Sequence, residues 1–570
     1  MTLPGGGVRI VSQARLVAGF LCALAVFATN AQAQQIPSTV QPGSVERDLN
    51  NQPRPAPSGE VSIPAPASLE APANASEIKI HLTSIDLVGA TVFPKAELAP
   101  AYENLIGHDV TVADLYKAAN EITAKYVAAG YAISFAIVPK QTIDSGRAEI
   151  DVVEGYVAEY RFEGDTGRQP KVLAGYADQI VSSRPLRLKA LERFLLLAND
   201  VPGYTVKSVF ERMEGAPRGA TRLVIHLEYK MLSASVSVSN RGSKAFGPYR
   251  GEANAMINNL FGWGDEVHLR GLISSDTKEL RYGSGQLSIP LNDDGTRLVL
   301  EGTYSDAHPG LFLLKLIHFV TNGTTARIGV EHPLIRARNE NLVLDFYATG
   351  QWLDSKLFSF TNSSDRLYLL SPGATYWRYD DKGLSSVSLH LTQGLDVFDA
   401  TTSDSPRRSR SAGSGVFTAV NLSATRLQEL GSGFEGLLSA TGQLSSHALL
   451  ASQECGYGGN AFGRGFDDSE FIGDACVLGS AELRYNVSHV GPLEAVQLYG
   501  FGDAGYLERR GKLLPFETRS DTAYSAGAGL RWQLNEHLSG WVEFAQPISR
   551  DVAQEGNRNG RVFFAVTGSF

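Results

Sequence analysis

From about residue 231 onward the chain alternates in hydrophobicity with a period of two. In Ser386–Gln393, Val387, Leu389 and Leu391 fall on one face, and Ser386, Ser388, His390 and Thr392 on the other. In Val477–Tyr485, Val477, Ala481, Leu483 and Tyr485 oppose Ser480, Glu482 and Arg484. In Arg297–Ser305, Leu298, Leu300 and Tyr304 oppose Arg297, Glu301 and Thr303. This is the pattern of strands with one apolar and one polar face. Roughly sixteen such segments of about ten residues can be counted, an even number suited to a closed bacterial barrel. A soluble sandwich would bury the apolar face against a second sheet. A membrane barrel turns it to lipid and keeps the polar face in a wet lumen. Connection lengths separate the two. Residues 292–295 (NDDG), Asp381-Lys382 and Asn535-Glu536 are short, whereas 307–322, 396–414, 447–474 and 506–521 are long. Short turns on one side and long loops on the other are the barrel pattern.

The preceding region changes period. Ile78–Val88 alternates as a strand. Pro94 opens a helix-like run through Ile106. Thr111 caps a second helix with Leu115, Ala118, Ala119, Ile122 and Tyr126 on one face, ended by Gly130. Strands follow over Ile133–Val138 and Ala148–Val153. The same β-α-α-β-β order then recurs. It runs as a strand Val157–Phe162, helices Lys171–Val181 and Leu186–Ala198, and strands Tyr204–Glu211 and Thr221–Glu228. Two tandem α+β domains are therefore expected, at 77–154 and 155–230, ahead of a barrel at 231–570.

The N-terminus changes the compartment. Arg9 and Arg15 precede an apolar run, Leu16–Ala28, and Ala31-Gln32-Ala33 is a small-x-small cleavage site, so residues 1–33 read as an export signal. Residues 34–76, rich in Pro, Ala, Ser and Asn, read as a linker, within which Gly43–Asn51 could form a short helix. Leu21 before Cys22 is too large for a lipoprotein signal. An exported chain can oxidise its two remaining cysteines, Cys455 and Cys476. A disulfide there would contribute on the order of 3 kcal/mol; two free thiols are the alternative. The net charge of −9 argues against a nucleic-acid partner.

Candidate chemistry is sparse. Gly500–Gly505 fits G-x-G-x-x-G, but no helix follows it, so glycines in a barrel strand explain it better. There is no Walker loop, H-E-x-x-H or G-x-S-x-G sequence, and the histidines lack metal-ligand spacing. No catalytic residue, cofactor or metal is expected. The informative stretch is Cys455–Cys476, CGYGGNAFGRGFDDSEFIGDAC, a glycine-rich loop between two strand-like runs.

Each β-α-α-β-β unit resembles a POTRA domain. Together with the signal, the Pro-rich linker and the strands, the mature chain resembles the two-partner secretion transporters, the haemolysin secretion/activation family of the POTRA-barrel superfamily. Asn240-Arg241-Gly242-Ser243 through Asn259–Asp265 looks like that family's opening hairpin. Its sixth outer loop carries V-R-G-F, matched here by Gly463-Arg464-Gly465-Phe466 with Gly in place of Val. Its F-x-D motif is matched by Phe501-Gly502-Asp503. The terminal Phe570 on an amphipathic last strand resembles the outer-membrane sorting signal.

The resemblance implies an outer-membrane pore whose loop 447–474 dips into the lumen, with Arg464 against Asp503. It implies N-terminal domains in the periplasm and a large secreted exoprotein as partner. Outer-membrane lipid surrounds such a pore, and the barrel-assembly machinery acts during biogenesis. An N-terminal plug helix, seen in some members, has only 43–51 as a candidate. The alternative function is a barrel-assembly factor, though such factors commonly carry more than two POTRA units.

Overall fold

The computed structural model describes residues 37–41, 43–44, 70–143, 145–515 and 517–570. The expected export signal, and all of the expected short helix except residues 43–44, lie outside the described residues.

In the first α+β unit, Ser84–Val88 pairs in parallel with Arg147–Val153, which pairs with Phe135–Ile137. The helix Val112–Ala128 packs over this sheet, with Leu115, Ala118, Ala119, Ile122 and Tyr126 all buried. Its N-terminus is closed by a capping box in which Thr111 and Asp114 satisfy each other's backbone N–H groups. Two sequence expectations need correction. Ile78–Val88 is not one strand. It breaks into Lys79–His81, which pairs with Asp109–Thr111, and Ser84–Val88, which joins the main sheet. The Thr83 amide turns away to the Gly146 carbonyl between them. Residues 94–106 do not form one helix either. Pro100, which cannot continue the helical ladder, leaves three single-turn pieces at Lys95–Leu98, Ala99–Ala101 and Glu103–Leu105.

The second unit repeats the plan. Tyr156–Gly164 pairs in parallel with Ala220–Tyr229, which pairs antiparallel with Tyr204–Arg212. Helices Lys171–Ser182 and Leu188–Asn199 cover the sheet and bury Leu173, Tyr176, Leu195 and Leu196.

Sixteen antiparallel strands then close a barrel in strict chain order. They are β1 (Leu232–Ser239), β2 (Arg250–Asn258), β3 (Glu266–Ser274), β4 (Leu280–Pro290), β5 (Arg297–Ala307) and β6 (Val320–Arg336). Next come β7 (Glu340–Leu357), β8 (Phe360–Asp380), β9 (Gly383–Gly394), β10 (Thr418–Gly431) and β11 (Phe434–Ser445). The last are β12 (Ala475–Val490), β13 (Leu493–Glu508), β14 (Ser520–Asn535), β15 (Leu538–Pro547) and β16 (Arg561–Ser569), and β16 pairs back onto β1. Val387, Leu389 and Leu391 lie on the outer face and are exposed there, as are Val477, Leu483 and Tyr485. That apolar outer band is what a lipid-facing wall requires.

The turns 259–265 and 291–296 lie against the second α+β unit. Arg193 donates to the Asp294 carbonyl (3.2 Å) and Arg168 to that of Leu260 (3.3 Å). The turns on this side are short. The far side carries the long loops 308–319, 395–417, 446–474 and 509–519. It also carries 240–249 and 548–560, which the alternation did not single out, and a tight turn at 358–359.

The N-terminal segment sits at this far end. Val40 is fully buried against Ala245, Phe246, Leu280, Leu314 and Phe319. The Ser38 hydroxyl donates to the Glu470 carbonyl at 2.8 Å. Residues 37–41 and 43–44 and the α+β units therefore lie at opposite ends of the barrel.

One bidentate contact ties the second unit to the barrel base. The Arg336 guanidinium at the end of β6 donates to both Asp200 carboxylate oxygens, at 2.7 and 2.8 Å. Removing a charge-assisted bond of this kind costs about 1.5–3 kcal/mol. Asp200→Ala should broaden the distance distribution between spin labels placed in the second unit and on one of the short turns, with the barrel intact. An unchanged distribution would show that other contacts alone set the docking.

Candidate functional site

The loop 446–474 does not extend away from the barrel; it folds back into it. A short ladder, Cys455–Tyr457 with Phe471–Gly473, forms its neck. Cys455 and Cys476 are joined by a disulfide, with Cα atoms 6.5 Å apart. The loop is thus a closed lobe anchored at the start of β12. Tyr457, Phe466 and Phe471 pack ring against ring inside it, and Phe466 is only 1% exposed.

Sheet register builds the receiving wall as rungs. Ser480, Asp503, Ser525 and Pro547 are level across β12–β15. On the next rung lie Glu482, Phe501, Gly527 and Ala545, and below it Arg484, Tyr499, Gly529 and Glu543. Gly527 and Gly529 leave room for the neighbouring rings: a Cβ on either would come within 2.6 Å of Phe501 or 2.4 Å of Tyr499. The aromatic rings therefore lie flat along the wall.

Arg464 docks on this surface. Its backbone N–H and Nε donate to Asp503 Oδ2 at 2.9 and 3.1 Å, and one terminal nitrogen donates to Oδ1 at 2.9 Å. The other terminal nitrogen donates to Glu482 at 2.6 Å. The guanidinium carbon sits 3.4 Å from the Phe501 ring centroid. The pair is bidentate, charge-assisted and face-on to an aromatic ring. Arg464 and Asp503 are 6% and 4% exposed, so this is a buried ion pair with its remaining donors satisfied.

The glycines around Arg464 have specific tasks. Gly463 has φ +80°, and a Cβ there would come 2.6 Å from the Tyr457 ring, so a left-handed glycine stands where the resemblance has Val. At Gly465 a Cβ would meet the Pro547 nitrogen at 2.9 Å, because the backbone lies directly on β15.

The structure brings together Gly463, Arg464, Gly465, Phe466, Phe501 and Asp503. Phe570 is elsewhere, exposed at the end of the wall nearest the α+β units.

Several contributors did not stand out in the sequence. Arg241, from the loop after β1, donates to Asn460 and to the carbonyls of Gly459 and Arg464 at 2.6–3.0 Å. Arg561 on β16 donates to Asp467 at 2.6 Å, and Arg250 on β2 pairs with Asp468 at 2.9 Å. Arg531 and Arg484 hold Glu482. Glu482 was visible on the polar face of its strand, and Arg241 in the opening hairpin, but nothing local assigned them to the loop. Among the described residues no cluster of ligands could hold a metal ion.

A closed sixteen-strand barrel with α+β domains at one end and a loop docked in its lumen defines an outer-membrane transporter. The model of the haemolysin secretion/activation protein family ShlB/FhaC/HecB matches residues 219–532, and that of the ShlB-type POTRA domain residues 80–155. The chain belongs to that haemolysin secretion/activation family. It is a two-partner secretion transporter of the outer membrane, with its POTRA domains in the periplasm.

Among curated proteins it is similar to the heme/hemopexin transporter protein HuxB of Haemophilus influenzae (strain 86-028NP). Identity is 27%, covering 90% of this chain and 92% of that one. Its fold matches CdiB from Escherichia coli with TM-score 0.70 at 21% identity, covering 92% and 95% of the two chains. It also matches BamA from Haemophilus ducreyi lacking POTRA domains 1–3, with TM-score 0.51 at 15% identity, covering 86% and 100%.

Glu470 links docking of the lobe to pH. Burial pushes the Glu470 carboxyl up to about 7. Nearby Asp467 acts in the same direction, while the N–H groups of Ala553 and Asp467 and the Arg561 cation oppose it. Release to solvent would return Glu470 to the ordinary value near 4.5. A raised carboxyl favours docking while it stays protonated. Glu470 should thus weaken docking as pH rises from about 4.5 to about 7. A spin label at Ala461 should be less mobile at about pH 5 than at about pH 8, and Glu470→Gln should reduce the difference. The opposite sign would contradict the assignment.

Proposed function

We propose that the docked lobe is the element that controls passage of the partner polypeptide. The observation that carries this is the buried Arg464–Asp503 contact, which holds the loop inside the lumen through which the partner must pass. Arg464 is the anchor, Asp503 and Phe501 are its wall partners, and Gly463, Gly465 and Phe466 shape the tip.

Domains 77–154 and 155–230 receive the partner in extended form. Addition of a strand to an unpaired sheet edge, such as Tyr204–Arg212, is the physical means. The partner is a large haemolysin- or adhesin-like exoprotein that threads the barrel and folds outside, and that folding supplies the drive. The wall sits in outer-membrane lipid. Phe570 serves biogenesis, as the residue read by the barrel-assembly machinery.

A barrel-assembly role is the second reading, favoured only by the BamA fold likeness. Two tandem α+β units favour secretion. The test is release of the large exoprotein partner in cells with and without this chain. Appearance of the exoprotein in the medium only when the chain is present is the expected result. Indifferent cargo together with depletion of other outer-membrane barrels would establish the assembly reading instead.

A further inference from the structure

The lobe tip fills one side of the lumen, against β12–β16 and the loop and strand that follow β1. On the other side, from β4 round to β12, a cavity of about 290 Å³ remains. Its wall is of a different kind. Thr349, Ser371, Thr392, Asn421, Thr441 and Gln443 face it with neutral hydroxyl and amide groups. Its charged side chains on the strands, Glu301 and Arg327, pair with each other. Such a wall offers hydrogen bonds to a passing backbone without a fixed charge to trap it.

The far end of this cavity is roofed by the first part of the same loop, residues 447–454, with Gly43 of the N-terminal segment lying against Ser452. Leu449 and Leu450 are fully buried against Leu353, Leu367, Leu369 and Phe417, so the segment reaches across to β7 and β8. Gln453 donates to Gln351 on β7 at 2.8 Å. One buried carboxylate holds the roof down. Asp474, fully buried, accepts from the Leu449 N–H (2.6 Å), the Arg410 guanidinium (2.5 Å) and the Arg510 N–H (2.5 Å). Arg410 also donates to the Leu449 carbonyl (3.3 Å) and pairs with buried Glu454 (3.2 Å). Asp474 and Arg410 therefore join three outer loops, 395–417, 446–474 and 509–519, at a point remote from Arg464.

We propose that residues 447–454 are a second, outer closure, positioned by Asp474 and Arg410, which must lift for an extended polypeptide to leave along the neutral wall. The proposal rests on the export reading above and adds to it a separate exit gate. The Cys455–Cys476 disulfide divides the loop at the right place: the tip lies within its ring and the roof outside it.

Two arms test this. In planar bilayers, where no cargo is needed, the full-length Asp474→Asn and Arg410→Ala proteins should show severalfold higher conductance than wild type, with heat-modifiable barrels and the disulfide retained. Wild-type conductance in both folded variants would overturn the proposal. In cells, a Gln351→Cys/Gln453→Cys pair, with cross-linking shown by gel mobility, should block export, and reductant should restore it. Each single-cysteine variant should export with or without reductant, which separates the effect from the native disulfide. Undiminished export by the cross-linked pair would sink the gate while leaving the export reading intact. If the wild-type chain itself exports nothing, the export reading fails, and the conductance arm still decides whether the roof seals the pore.

Discussion

A guanidinium removed from water has to be paired. Arg464 lies inside the barrel, and leaving such a group without its partner costs about 3–5 kcal/mol. The structure meets the requirement with two carboxylates, Asp503 and Glu482, and the face of Phe501. Much else serves that contact. Gly527 and Gly529 make space for the rings, Gly463 and Gly465 let the tip reach the wall, and Arg241, from the loop after β1, grips the tip's carbonyls. The pair is better understood as a device that fixes one position of the lobe than as a source of net stability, since burying both charges offsets much of their attraction.

This arrangement divides the lumen. One side is a dense set of alternating charges that holds the lobe. The other is a neutral surface of hydroxyl and amide groups under a roof with its own ionic clasp. A lobe closed by a disulfide can move as a unit about its neck, whereas an open loop of the same length could simply unravel. The N-terminal residues add a further contact at the far end, where Val40 is buried and Ser38 touches the lobe at Glu470. The outer end of the pore is thus closed by several segments that meet one another.

The barrel was legible because its signal is periodic. Val387, Leu389 and Leu391 had to face lipid whatever the rest of the chain did, and turn lengths gave the two sides. The α+β helices were equally plain where they carry an apolar stripe, as at Leu115–Tyr126. The chain broke from the pattern where a single residue overrides periodicity: Pro100 split an expected helix, and the backbone turn at Thr83 split an expected strand. At the site, Arg464 and Asp503 could be named because motifs from a resemblance pointed to them. Glu482, Arg241 and Arg561 could not, because strand register decides which lumen side chains meet the loop, and register between distant strands leaves no mark in local sequence. The Asp474–Arg410 clasp escaped for the same reason: its two residues belong to different loops and meet only when the barrel closes.

The most direct measurement of the central claim is cargo release by Arg464→Ala and Asp503→Ala chains, alongside a fractionation showing that each barrel reaches the outer membrane. The account predicts that export is lost in both variants while the folded barrel is present in normal amount. Intact secretion in both would show that the docked position of the lobe is incidental to transport.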